Sequence, residues 1–202
     1  MFNLILVIIL LTPVFNTFSL AAEIEPPQPK NYYSENKVYR FESIPNTKSK
    51  EIQKLFKCYF KTQNKKRPSA HGPIALSDTS AGVLYKTTDT LNRYIWGNYL
   101  SNLVFPESSM VSNHGYVITL GEWRKNKSEY NRISFYDTTG NIIKTYLLTD
   151  IIDSKTIKKT SFHKVWYDKC SFNRDNTFFI LEAPTKRLYF DIKTGAIIDT
   201  IK

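Results

Sequence analysis

One phrase is written twice in the back half of this chain. "YDTTGNIIKT" (136–145) and "FDIKTGAIIDT" (190–200) each run from an aromatic residue into Asp, then to Thr-Gly, then through x-Ile-Ile-x-Thr. Gly supplies the positive-φ backbone that a tight hairpin needs, and Asp can bond its own downstream amides. The Ile-Ile pair suits a return strand with one buried side. A chain that repeats a turn with its return strand repeats a sheet, and an apolar sheet face needs a second layer to cover it. The phrase therefore predicts an all-β domain of antiparallel, blade-like hairpin sheets, with Asp137, Gly140, Asp191 and Gly195 as structural turn residues.

The flanking stretches agree. "YVITL" (116–120) follows the turn signal Asn113-His114-Gly115, which adds Gly115 to the structural turns. "RISFYD" (132–137) alternates apolar and polar, "TFFILEA" (177–183) follows Asn173-Arg174-Asp175-Asn176, and "RLYFDIKTGAIIDTIK" ends in another hairpin. "GVLYKTTDTLNRYIW" (82–96) predicts a hairpin turning around Thr88-Asp89. The repeat units fall at about 108–150 and 168–202, inside a single β domain over 45–202. Upstream, "EIEPPQPKNYYSEN" predicts an extended, Pro-containing linker over 23–44. "NTKSKEIQKLF" (46–56) suits a short helix running into a strand.

These motifs resemble a known architecture. Asn113-His114-Gly115-Tyr116-Val117-Ile118 looks like the opening of a β-propeller blade. Tyr136-Asp137-Thr138-Thr139-Gly140 and Phe190-Asp191-Ile192-Lys193-Thr194-Gly195 resemble the blade ending of quinoprotein-type and YVTN-type repeats. The resemblance covers about 108–202, with a third, degenerate unit reaching back to 82. It concerns the fold and brings no catalytic residue; no residue matches a quinone site, so no cofactor is implied. Propellers have typically about four to eight blades. Two clear units and a degenerate third imply an incomplete, open propeller-like array or a sandwich. Its end strands then need a cover, such as the N-terminal segment, a Lys-rich edge or another subunit.

Residues 1–22 read as a signal peptide: an apolar run over 4–11, Pro13 behind it, and small residues at Ser19, Ala21 and Ala22 before Glu23. The expectation is an exported chain, periplasmic or secreted, or a membrane-anchored one if the segment is not cleaved. The chain carries 28 Lys+Arg against 18 Asp+Glu, a net charge of +10. That surplus is a physical fact about association with acidic partners. Cys58 and Cys170 form a candidate disulfide in an oxidising compartment, with two buried free thiols as the alternative.

Chemistry-bearing groups are sparse. His71, His114 and His163 share no metal-ligand spacing, and no Walker loop, Gly-x-Ser-x-Gly or dinucleotide turn occurs. No catalytic, cofactor-binding or metal-binding residue is assigned. The binding candidates are Trp123 and Tyr130 in "GEWRKNKSEYNR" (121–132), the basic run Lys65, Lys66 and Arg67, and Trp166 in the Lys-rich connection 153–169. Aromatics among basic residues can stack on rings while the charges hold anions. The leading expectation is a non-enzymatic domain that binds a protein or envelope component. The alternatives are a polyanion binder (lipid head group, polysaccharide or nucleic acid) and an enzyme with no recognisable motif.

Overall fold

Three four-stranded antiparallel sheets, each an up-and-down meander, organise the described part of the chain. A computed structural model describes residues 26–48, 50, 79–88, 91–122, 132–152, 158–159, 164–165 and 167–201. The first sheet contains β1 (Lys30–Tyr33), β2 (Tyr39–Ile44), β3 (Ala81–Thr87) and β4 (Asn92–Tyr99) in that order. The second contains β5 (Ser108–Val111), β6 (Val117–Leu120), β7 (Arg132–Tyr136) and β8 (Ile142–Leu147), followed by one helical turn, α1 (Leu148–Ile151). A two-stranded ladder of β9 (Lys158–Lys159) and β10 (Lys164–Val165) lies in the connection to the third. The third contains β11 (Lys169–Phe172), β12 (Phe178–Ala183), β13 (Lys186–Asp191) and β14 (Ile197–Ile201). The all-β, blade-like expectation holds, and no sheet closes into a barrel.

The sheets stack face to face, with the second in the middle. Phe41, Leu84, Trp96 and Leu100 of the first sheet and its exit pack on Val111, Val117 and Tyr136 of the second. The opposite face of the second, Ile118, Leu120, Ile133 and Phe135, packs on Phe179, Leu181, Leu188 and Phe190 of the third, with α1 closing the cluster. Side chains on a strand alternate between faces. A strand covered on both sides must therefore read as a near-continuous run, and β6, Val-Ile-Thr-Leu, is buried throughout. The outer strands β8 and β14 are progressively more exposed.

The same first turn is built three times. Ser34, Ser112 and Asn173 donate their amides to the carbonyls of Tyr39, Tyr116 and Phe178. Within each turn Lys37, Gly115 and Asn176 lie at φ of 58°, 85° and 55°. A hydroxyl or amide side chain of the leading residue then accepts from downstream amides: Ser34 from Tyr39, Ser112 from Tyr116, Asn173 from Thr177 and Phe178. The turns are also linked in series. Asn36 N–H donates to Asn113 Oδ1 at 2.9 Å, and Asn113 N–H donates to Asn176 Oδ1 at 2.8 Å. Asn tolerates the left-handed backbone that other side chains resist, so at 176 one residue supplies both the turn and the link. Asn176→Ala is expected to lower unfolding free energy by about 2 kcal/mol, from left-handed strain plus a lost hydrogen bond, and Asn176→Gly by about 1. Denaturant titration of both variants separates the two contributions.

A second link joins the sheets at their last turns. Asn98 of β4 donates to the Gly140 carbonyl at 3.0 Å, and Tyr146 of β8 donates to the Gly195 carbonyl at 2.8 Å. A Cβ built on Gly140 would lie 2.7 Å from the Trp96 ring, and one on Gly195 would lie 2.5 Å from Lys144 Cβ. The repeated glycines thus let each last turn sit against the preceding sheet, besides permitting the turn itself. Asp137 and Asp191 brace these turns by accepting from Thr139 and Asn141, and from Lys193 and Thr194.

One expectation changes. Residues 30–44 are not a free linker: β1 pairs with β2, and β2 pairs with β3. The prolines at 26, 27 and 29 stop short of the strands and never interrupt a ladder. The degenerate third unit is accordingly the first sheet, and it begins at Lys30, well before 82. Of the short helix expected over 46–56, a 3-10 turn at Asn46–Lys48 and a helical Lys50 are described; 49 and 51–56 lie outside the described residues. At the far end, Thr200 N–H is taken by the Asp199 carboxylate at 2.7 Å.

Candidate interaction surfaces

The turn residues singled out by sequence are structural. Gly115, Gly140 and Gly195 adopt positive φ, and Asp137 and Asp191 spend their carboxylates on local amides. Burial acts to raise the Asp137 carboxyl, but donors from Thr139 and Asn141 outweigh it and hold it below the usual range. Trp123, Tyr130, Lys65, Lys66, Arg67, Trp166, Cys58, His71 and His163 lie outside the described residues. His114 is exposed in the second sheet's first turn, with Nε2 at 3.2 Å from the Asp175 carbonyl.

Cys170, the described half of the candidate disulfide, is a free thiol on β11 opposite Leu181. It is half-buried against the cluster between the second and third sheets. Burial pushes it up to about 11, which keeps it neutral and poorly nucleophilic. In a Cys58→Ser background, native Cys170 is expected to react with an aromatic disulfide reagent at pH 8 roughly a hundredfold more slowly than in the unfolded chain. Equal rates would contradict the burial.

Among the described residues no group of three or more His, Cys, Asp or Glu is placed to hold a metal. Among the described residues the most buried carboxylate, Glu122, serves the backbone. It follows β6, is 3% exposed, and accepts from Leu103, Val104 and Phe105 amides at 2.8, 2.7 and 3.1 Å. Loss of solvent raises its carboxyl, and the three amides together with Arg132 pull it back down. The residue pins the β4–β5 connection at the point where the 123–131 connection departs. In Glu122→Gln one amide NH2 must face a backbone donor, so a loss of about 1–3 kcal/mol is expected. Because the folded carboxyl is raised, the folded state holds its proton more tightly than the unfolded one. Glu122 therefore favours folding more as pH falls through the window between the two values, and less above it. The Gln variant should lack that component when stability is titrated with pH.

The outer faces of the end sheets depart from the central pattern. Counting from the shared first turn, the cross-strand pair Val117–Tyr136 of the second sheet corresponds to Phe179–Phe190 of the third and to Arg40–Tyr85 of the first. The Arg40 guanidinium lies 4.2 Å over the Tyr85 ring, and Tyr94 meets that ring edge-on at 5.9 Å. Burial first, then the Glu42 charge, raises the Tyr85 hydroxyl. On the third sheet, Leu120–Ile133 corresponds to Glu182–Arg187, which form an ion pair at 2.9 Å. Beside it Ile198 and Ile201 on β14 are each 51% exposed. Sequence reading missed both surfaces. The available signal was a charge at a position where the strand's alternation calls for an apolar residue, as with Arg40 in "YRFESI" and Glu182 in "FFILEA".

Among the described helices none is long and apolar enough to cross a membrane. No family model and no curated protein matches this chain.

Proposed function

We propose that this chain is an exported, non-enzymatic binding domain, a propeller-like array of blade-like sheets that presents its inter-strand connections to a protein or envelope component. The observation that carries this reading is the central sheet. β6 and β7 are buried on both faces and clamped at both turns, and they hold the ends of the connection containing Trp123 and Tyr130. Binding residues are commonly found on loops positioned by a rigid scaffold. The sequential hydrogen-bonded links between equivalent turns also support the blade reading, since each sheet repeats one way of seating the next.

The test is cross-linking capture from envelope and secreted extracts with the purified chain, run at low and moderate salt. A partner retained at both salts, and lost when Trp123 and Tyr130 are replaced by Ala, supports the reading. Absence of any such partner removes it. The +10 net charge favours a second reading, adhesion to polyanions through the basic run at 65–67 or the 153–169 connection. That reading predicts binding to heparin or anionic vesicles that weakens steeply with salt.

A further inference from the structure

We propose that two copies of this chain dock through the outer face of the third sheet, about a two-fold axis that runs along the strands between β12 and β13. The inference stands apart from the binding reading above, because it concerns another surface.

That face is open. β12 alternates partly exposed and buried residues at every step, so Phe178, Ile180 and Glu182 point away from the core. On β13 Arg187 is exposed and Tyr189 partly exposed, while Leu188 and Phe190, which alternate with them, are buried. Ile201 on β14, paired with Arg187, is 51% exposed. An antiparallel sheet with one solvated face commonly turns polar residues outward. Here the outward set on the two central strands includes Phe178, Ile180 and Tyr189, and apolar surface of that kind marks a docking place.

The occupant follows from the register. Glu182 is the cross-strand partner of Arg187, and Ile180 is the partner of Tyr189. A two-fold axis parallel to two strands and midway between them exchanges the strands. Every directly opposed pair within the sheet thereby becomes an opposed pair between copies, in both directions. Glu182 would face Arg187 of the second copy, and Arg187 would face its Glu182. The four charges then alternate in sign around the axis, each carboxylate beside two guanidiniums. In the single chain the same pair meets at 2.9 Å with side chains 33% and 49% exposed, which leaves both groups accessible to a second partner.

One step along, Ile180 would lie over Tyr189 of the second copy, and Tyr189 over its Ile180. Stacked sheets are rotated by about 30°, which displaces contacts far from the axis but keeps these. A two-fold crossing the strands does worse: centred on Ile180, it sets Glu182 over Phe178 and takes a carboxylate out of water against an apolar ring. The charges of Glu182 and Arg187 also cancel, so the middle of this face does not share the chain's net +10. An acidic partner gains nothing there, whereas a second copy finds both signs where its own require them.

Four strands about 4.8 Å apart and about six residues long cover roughly 15 by 20 Å, which is small for a stable interface. The dimer is therefore expected to dissociate in the upper micromolar range.

Sedimentation equilibrium and light scattering of the purified chain, from micromolar to millimolar concentration, test this. The native chain should pass from monomer to dimer over that range. Glu182→Arg and Arg187→Glu, each alone, should raise the dissociation constant by about tenfold or more, since like charges then meet across the axis. Mixed in equal amounts, the two variants should form a dimer that neither forms alone, because each charge again meets its opposite. The double variant, Glu182→Arg with Arg187→Glu, keeps an ion pair within the chain and should dimerise like the native protein. Circular dichroism verifies that each variant is folded. A monomer at every concentration overturns the proposal. So does a dimer indifferent to both single variants, a mixture that stays monomeric, or a double variant that does not dimerise.

Discussion

Gly140→Val is expected to lower unfolding free energy by about 4 kcal/mol, with contributions from left-handed strain, overpacking and a lost hydrogen bond. Gly140 sits at φ 88°, a region closed to β-branched side chains except under strain. Its new Cβ would fall 2.7 Å from the Trp96 ring, and Trp96 is 3% exposed, so the ring has little room to retreat. Moving the turn instead breaks the Asn98 link to the Gly140 carbonyl. In a chain of this size such a loss lowers the thermal midpoint by about 10 °C. The control is Thr138→Val, an exposed neighbour in the same turn, expected to stay within about 0.5 kcal/mol. Equal effects at 138 and 140 would mean that the turn alone, and not its seat on the first sheet, is what the glycine serves.

Phe135→Ala should cost about 3–5 kcal/mol, the range for emptying a buried phenylalanine site. Phe135 is 1% exposed and its ring contacts three others, Phe190 at 5.3 Å, Phe179 at 6.0 Å and Tyr146 at 6.5 Å. The neighbours belong to two sheets whose separation is fixed by the turn links, so the void cannot collapse cheaply. Calorimetry gives the magnitude and amide exchange gives the place. Protection should fall most in β12 and β13, while β2 and β3, which face a different cluster, hold theirs. Uniform loss would show that the three sheets unfold only as one unit.

The second and third sheets were legible because their signals are local. An Asp-to-Gly turn and a period-two strand are each contained in about ten residues, and both sheets carry them intact. The first sheet was half hidden for physical reasons. Its first turn takes positive φ at Lys37, where no sequence rule points, and its last turn closes through Thr88 without a glycine. Its strands β2 and β3 pair across the whole 45–80 stretch, and pairing at that distance leaves no periodic trace. Polar residues at its start therefore read as linker.

The surfaces were less legible still. Arg40 and Tyr85 are ordinary in sequence and gain meaning only through the register that sets them where other sheets carry Val117–Tyr136 and Phe179–Phe190. Glu122 sits in a stretch that reads as a polar loop, yet its role depends on three amides contributed by residues 103–105. A carboxylate's partners on a distant segment are set by packing, and single-chain spacing does not encode them.

The Asp199 carboxylate that takes the Thr200 amide has a bearing on how this molecule survives at high concentration. A terminal strand with three isoleucines is a natural seed for amyloid growth, in which an incoming segment zips onto free backbone groups. Occupying one of those groups from within the strand leaves a gap in the template, so newcomers are steered toward side-chain contact and away from ribbon extension.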